Sequence, residues 1–475
     1  MGKMTMKPDF GSELDRRGFL KGGSFATMMM LMGGIPINAA EEEKKPEAGA
    51  VNADGSTNYK AEAAPVNVGV IGCGPWAREI LKTLATLPNG PVVAICDTYP
   101  AMVKRAADLA PNAQKYPNHK DLLADPKVQA VVVATPTHLH KEIVIDALKA
   151  GKHVYCEAPL AASVEDARAI AQAVRENFTV NFQSGLQARS DKQIYNLANF
   201  IRSGVLGKPL KARQQFHKKQ SWRFTSPNAE REKALNWRLD KEVSIGLAGE
   251  LGVHQLDIAN WYFNARPLSA HGLGSLIQWK DDGREVPDNV QVTFEYPGGV
   301  FLTYEATIGN SFESEMGQFY GTDCAIMMRD RRAWMFKEAD APLLGWEVYA
   351  RKDAFYQESG IVLGAGNTKQ DAQAKKGTEA DKVVDEKSPL QYALSAFLKN
   401  SDTIASGFED FKKNYDANDK AALREYLDGL AKEKTWLPAC GWREGLDSTI
   451  TAIKANEAIL SGQKITFKKE WFELA

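Results

Sequence analysis

Apolar and polar positions along the chain follow two rhythms. Between residues 66 and 186, short apolar runs alternate with stretches in which apolar residues recur every three or four positions. Asn67-Val68-Gly69-Val70-Ile71, Val92-Val93-Ala94-Ile95-Cys96-Asp97, Val128 to Ala134 and His153-Val154-Tyr155-Cys156-Glu157 are runs of the first kind. They read as strands buried on both faces. Ile80, Leu81, Leu84 and Leu87 sit at helical spacing, and Met102 to Leu109 and Glu142 to Ala150 also read as helices. Strand, helix and strand in this order predict a doubly wound parallel sheet. Farther on the rhythm changes. Val290 to Glu295 and Val300 to Glu305 alternate with period two around Tyr296-Pro297-Gly298-Gly299. That pattern predicts a β-hairpin with one buried face. Leu390 to Leu398, Ala421 to Leu430 and Asp447 to Leu460 read as helices. The stretch 365–387 is polar and reads as a surface insertion, and 400–441 points to no function of its own.

Composition narrows the class. The 475 residues carry a formal charge of −1, with 44% hydrophobic and 25% charged residues. These are globular values, and they exclude a disordered or collagen-like chain. A balance so close to neutral argues against a protein whose task is to hold nucleic acid. The five cysteines, Cys73, Cys96, Cys156, Cys324 and Cys440, are odd in number, and no pair has metal-ligand spacing. They read as small buried hydrophobes, and no metal site is expected.

The first 40 residues read as an address. Arg16-Arg17-Gly18-Phe19-Leu20-Lys21 precedes an uncharged run that ends in Asn38-Ala39-Ala40. This is the layout of a twin-arginine signal peptide, with a small-residue cleavage site. The run is rich in Gly and Met and broken by Pro36, so no stable membrane span is expected. The expectation is export through the twin-arginine machinery to the periplasm or beyond, after folding in a reducing compartment. Residues 41–65 read as a flexible linker.

The first candidate chemistry follows the first strand. Gly72-Cys73-Gly74-Pro75-Trp76-Ala77 joins that strand to a helix, and the next strand ends in Asp97. Gly72 permits the tight turn, Gly74 lets backbone approach a pyrophosphate, and Ala77 allows close helix–strand packing. The helix N-terminus stabilises phosphate charge, and Asp97 is placed to accept from ribose hydroxyls. Strand, loop, helix and acid together make a dinucleotide-binding motif. Asp97 favours NAD over NADP because it repels a 2′-phosphate, while Lys104 and Arg105 close by pull the other way. Ligands of such sheets lie at the carboxyl ends of the strands. Thr135, Pro136 and His140 are therefore cofactor candidates, although a capping or packing role suits His140 equally.

Several segments taken together resemble the Gfo/Idh/MocA oxidoreductases, the family of glucose–fructose oxidoreductase and inositol dehydrogenase. They are the glycine loop, Ala134-Thr135-Pro136-Thr137-His138-Leu139-His140, Gly151 to Pro159, and Gly249-Glu250-Leu251-Gly252-Val253-His254-Gln255-Leu256-Asp257. The resemblance implies a Rossmann domain, here 66–186, followed by a C-terminal α/β domain, here 187–475, built on a large, mostly antiparallel open sheet. It also implies an NAD or NADP cofactor, a carbohydrate substrate and a homo-oligomer. It assigns Glu157 to the nicotinamide ribose. Members typically carry Glu-Lys-Pro where this chain has Glu157-Ala158-Pro159, and the role of that lysine cannot pass to alanine. His254 is the candidate general base, with Glu250 and Asp257 flanking it at helical spacing. Asp257 reads equally as a structural hydrogen-bond partner. Arg189, Trp237 and Arg238 are candidate substrate contacts: aromatic rings stack on sugar faces and guanidinium binds hydroxyls. A solvated Arg189 and a packing role for Trp237-Arg238 are the alternatives.

These readings converge on an exported NAD(P)-dependent oxidoreductase acting on a sugar, cyclitol or glycoside hydroxyl. Free cofactor is not expected outside the cytoplasm, so it must be held tightly. Two alternatives stay open: a redox-neutral glycosidase that oxidises, eliminates, hydrates and reduces, and a sugar-binding relative without catalysis.

Overall fold

The computed structural model describes residues 63–474, apart from 227, 330, 345–346, 348–351, 356–357 and 364–386. The signal segment and nearly all of the expected insertion lie outside the described residues. No helix among those described is long and apolar enough to cross a membrane.

Two sheets organise the chain. The first contains β1 (Val68–Ile71), β2 (Val92–Cys96), β3 (Gln114–Tyr116), β4 (Ala130–Val133), β5 (His153–Cys156) and β6 (Phe182–Ser184). Its order is β3-β2-β1-β4-β5-β6, with every pair parallel. β1, β4 and β5 are buried at every position, as their unbroken apolar runs require. The helix Pro75–Leu84 buries Ala77, Ile80, Leu81 and Leu84 against the sheet, and its proline stands where no backbone N–H is needed.

The second sheet has ten strands. They are β7 (Pro209–His217), β8 (Ser269–Ser275), β9 (Asn289–Tyr296), β10 (Val300–Thr307), β11 (Glu315–Gly321), β12 (Cys324–Arg329), β13 (Arg332–Lys337), β14 (Lys352–Phe355), β15 (Glu358–Leu363) and β16 (Ile465–Thr466). The predicted hairpin is β9–β10, with Tyr296 paired to Val300 across the turn. Val290, Val292, Phe294 and Tyr296 face the core, and Asn289, Gln291 and Thr293 face out. All pairs are antiparallel except β7–β10. This is the doubly wound sheet plus open antiparallel sheet that the sequence pattern and the resemblance anticipate.

The C-terminal helices depart from that picture, because they belong to both halves. The helix Pro389–Asn414 is far longer than the stretch read from sequence. Leu390, Ala393, Leu394, Phe397 and Leu398 pack into the same core as Ile80, Leu81, Leu84 and Tyr155 of the nucleotide half. Their apolar spacing showed a helix but not which sheet it covers. The helix Trp442–Ser461 places Leu446 and Ile450 in a core of the first sheet, and Ala452, Ala455, Ala458 and Ile459 in the core of the second. The cores of the first sheet are thus closed by helices that lie beyond residue 387.

Candidate functional site

The glycine loop is fixed by backbone. Gly72 has φ +92°, and a Cβ there would stand 2.6 Å from the carbonyl oxygen of Ala134. Only glycine fits both conditions. Gly74 caps the helix Pro75–Leu84, and a Cβ added to it meets nothing within 4 Å. That face is open, as backbone contact with a phosphate requires. Asp97 braces the loop: its carboxylate accepts from the N–H of Cys73 at 2.9 Å and of Tyr99 at 2.7 Å. A carboxylate has about four lone-pair sites, so acceptor capacity remains for ribose hydroxyls.

At the next strand ends, the polar atoms lack protein partners. Thr135 Oγ1, His138 Nδ1, Glu157 Oε1 and Glu250 Oε1 are all buried and unpaired. Buried polar groups are normally satisfied, so this concentration marks a place where a polar ligand completes the site. Burial pushes the Glu157 carboxyl up to about 7, against the indole of Trp76 and the N–H of Ala158, which pull it down. The Ala158–Pro159 bond is cis.

His140 does not reach the cofactor cleft. It is 1% exposed, with Nδ1 3.0 Å from the carbonyl oxygen of Pro159 and Nε2 3.0 Å from that of Thr135. Burial pulls its pKa down to about 4, so the neutral ring has one N–H to donate. It pins the loop after β4 to the loop after β5. Thr135 and Pro136 are thereby held in place, and His140 is their support rather than a cofactor contact.

Glu250 and His254 are not on one helix. Glu250 ends the short helix Gly246–Glu250, and His254 stands in the first turn of the helix Val253–Phe263. The break falls at Gly252, where a Cβ would stand 2.7 Å from the ring of Tyr304. Gly252 therefore lets the backbone pass close to that ring. Glu250 Oε2 accepts from the Thr137 hydroxyl at 3.1 Å, and Arg238 Nε lies 3.7 Å away. Burial raises the Glu250 pKa, while Arg238 and Thr137 oppose the rise. The Thr137 bond ties the second half, at Glu250, to the loop after β4. Burial lowers the His254 pKa and the Asp257 charge raises it. No hydrogen bond to the ring of His254 is present among the described residues, so it is available to a ligand.

Asp257 and Arg189 have another task. Asp257 is fully buried and accepts from Arg189 Nε at 3.0 Å, from Nη2 at 2.9 Å and from the Ser448 hydroxyl at 2.8 Å. Arg189 also lies 5.0 Å over the ring of Trp261. This bidentate pair locks the loop after β6 to the helix Val253–Phe263 and to the last long helix. Arg189 is thus not a free substrate arm, and Asp257 is not free to orient His254. The short helical spacing concealed this, because Asp257 turns to its partner from another segment.

Trp237 lies against His138 of the loop after β4, and Arg238 lies beside Glu250. Trp237 is buried and meets His138 edge-on at 5.7 Å. Arg238 lies 4.5 Å over Trp237 and 6.0 Å over Trp222. One face of Trp237 is taken by this stack, so the tryptophan is a wall and Arg238 is the polar tip. Sequence reasoning missed Thr137 as the partner of Glu250, although it stands inside a recognised motif.

Comparison with known proteins places these features in a family. Residues 66–184 match the oxidoreductase family model with NAD-binding Rossmann fold, and residues 194–327 match the GFO/IDH/MocA C-terminal domain. The chain is 29% identical over 201 residues to inositol 2-dehydrogenase of Salmonella typhimurium, covering 42% of this chain and 55% of that protein. The match therefore spans about half of that relative's length. It is 28% identical over 271 residues to 1,5-anhydro-D-fructose reductase of Ensifer adhaerens, covering 55% of this chain and 75% of that protein. In fold it resembles levoglucosan dehydrogenase solved with NADH and L-sorbose, with TM-score 0.61 and 17% identity, over 85% of this chain and 99% of that one.

Proposed function

The chain belongs to the Gfo/Idh/MocA oxidoreductase family, and from that membership we propose that it is an NAD-dependent oxidoreductase acting on a hydroxyl of a sugar or cyclitol. The observation that carries the reading is the set of unpaired buried polar atoms at the strand ends and on Glu250. The residues fit the cofactor. Gly72, Gly74 and the helix N-terminus would hold its pyrophosphate, Asp97 its adenosine ribose, and Thr135 and Glu157 the nicotinamide half. When bound, the dinucleotide would supply hydride transfer to and from the substrate carbon.

The chain's own residues handle the proton. Burial keeps His254 neutral, so its ring accepts the proton of the substrate hydroxyl during oxidation and gives it back during reduction. Glu250, whose pKa burial raises, keeps its unpaired Oε1 for the neighbouring hydroxyl. Arg238 is the cation beside Glu250 and supplies polarising charge where Ala158 has none. Trp222 and Trp237 hold that guanidinium in place. The relatives named for inositol and anhydrosugar substrates support the choice of a polyhydroxy ring as substrate.

Export through the twin-arginine route is part of the proposal and rests on Arg16-Arg17 and the uncharged run after them. An exported enzyme must keep its cofactor. Native mass spectrometry after long dialysis should find the dinucleotide still bound, and a panel of sugars and cyclitols should change its redox state. An empty protein that stays empty when nucleotide is added would end the proposal.

One observation favours a second reading. Ala158 removes the family lysine while burial raises the Glu250 pKa, the direction needed in a group that protonates a leaving aglycone. Chromogenic glycosides cleaved by the holoprotein without net change of cofactor would establish glycosidase chemistry; no cleavage would dismiss it.

A further inference from the structure

Three side chains with metal-ligand chemistry converge away from the cleft. The helix His119–Ala124 follows β3, and the helix His140–Lys149 follows β4. Leu122 and Leu123 of the first and Ile143 and Val144 of the second are buried in one core, which fixes the two backbones relative to each other. Between the helices stand His119, Glu142 and Asp146, with ligand atoms all within 4.8 Å of one another. His119 Nε2 is 2.9 Å from Asp146 Oδ2.

Glu142 and Asp146 are four residues apart and share one helix face. Two carboxylates one turn apart repel, so the pair needs positive charge or a proton donor. The ring of His119 serves Asp146, and the ammonium of Lys120 lies 3.2 Å from Glu142 Oε1. The side chains of Lys120 and Glu142 are 67% and 65% exposed, so their ion pair is weak and yields to a better cation. His119 and Asp146 are only 16% and 32% exposed. Two inner ligands are thus held in place, and the outer one is free to swing. One imidazole nitrogen and two carboxylate oxygens suit a divalent ion of the zinc type, with water in the fourth position. Calcium and magnesium prefer oxygen alone. Zinc bonds of about 2.0–2.2 Å put tetrahedral ligand atoms about 3.3 Å apart. His119 and Asp146 need to open by only a few tenths of an ångström to admit the ion.

We propose that His119, Glu142 and Asp146 form a binding site for one divalent ion of the zinc type, which fastens the helix after β3 to the helix after β4. The ion replaces the proton shared by His119 and Asp146, and Glu142 leaves Lys120 to join it. β3 is the edge strand of the first sheet, with Gln114 and Lys115 exposed, so the ion braces that edge. The inference is independent of the dinucleotide reading. The expectation of no metal site rests on spacing within a segment, whereas these ligands come from two helices.

The test is titration calorimetry of the tag-free full chain, stripped with chelator, against Zn2+, together with thermal unfolding in the presence and absence of the ion. Wild type should bind one ion per chain, and its unfolding temperature should rise with Zn2+. His119→Ala and Asp146→Asn should each weaken binding at least about tenfold. Glu142→Gln should do the same at an exposed position that the fold does not need. Lys120→Ala removes the competing ammonium and should tighten binding by up to about fivefold. Absence of Zn2+ binding overturns the proposal. So does binding that is unchanged by His119→Ala and Glu142→Gln, which places the ion elsewhere. Binding that leaves the unfolding temperature unchanged overturns the bracing role.

Discussion

The two ends of the cleft are built by different means. At the adenosine end, backbone groups set the geometry: the turn at Gly72 and the N–H groups of Cys73 and Tyr99 on Asp97. At the other end, side chains from separate segments meet: Thr137 from the loop after β4, Arg238 from the excursion after β7, and Glu250 from the short helix Gly246–Glu250. A backbone-built site is stiff and tolerates few residue types. A side-chain site can be rebuilt residue by residue, which is how a family lysine can be absent at Ala158 while the nucleotide motif is kept.

Mutation should separate the ends. Replacing His254 by Ala should lower turnover by about 10²- to 10⁴-fold, the range for loss of a general base, with dinucleotide affinity unchanged. A parallel loss of affinity, read by nucleotide titration, would show that the two ends are not independent. Breaking the buried pair with Arg189→Ala should cost about 3–5 kcal/mol of stability in urea unfolding, because Asp257 is left charged and unpaired. A raised KM with little loss of stability would instead return Arg189 to the substrate.

β5 offers a sharper contrast, because it carries a titrating group at each end. His153 Nδ1 accepts from the N–H of Asn181 at 2.8 Å, and burial pulls its pKa down to about 4. The unfolded chain takes up this proton near pH 6.5, so the contribution is complete above about 6.5 and is lost as pH falls toward about 4, worth about 3 kcal/mol. Glu157, pushed up to about 7, acts with the opposite sign. Its folded form keeps a proton that the unfolded chain gives up near 4.5, so stability declines as pH rises through that window. Glu157→Gln should therefore raise the melting temperature of the nucleotide-free protein above pH 7, while His153→Gln should flatten the acid limb. No change in the first would mean that Glu157 is not strained. The smallest expected effect is on the fold of Gly74→Ala. It should change stability by a few tenths of a kcal/mol, as alanine for glycine at an N-cap does, yet weaken dinucleotide binding by placing a methyl group on the open face.

The sequence made the nucleotide half legible because its strands are unbroken apolar runs and its loop obeys one backbone rule. The second sheet was legible where one face is buried, as in β9 and β10, with their strict alternation. The site at the other end of the cleft was half legible. His254 and Glu250 were visible as residues, but the close approach of Gly252 to the ring of Tyr304, far along the chain, was not. Asp257 sat at helical spacing from His254, and only the fold shows that Arg189 claims it. Long-range partners of this kind leave no spacing to read.

The two C-terminal helices give the molecule a particular order of assembly. The nucleotide half has all six of its strands once residue 184 has been synthesised. Its core still lacks Leu390, Leu394 and Phe397, and the N–H of Leu160 still lacks the hydroxyl of Thr449, 3.0 Å away in the finished fold. A chain emerging from the ribosome therefore exposes an apolar face of its first half until the last hundred residues arrive. Closure of the nucleotide core is thereby coupled to the end of translation rather than to completion of the glycine loop.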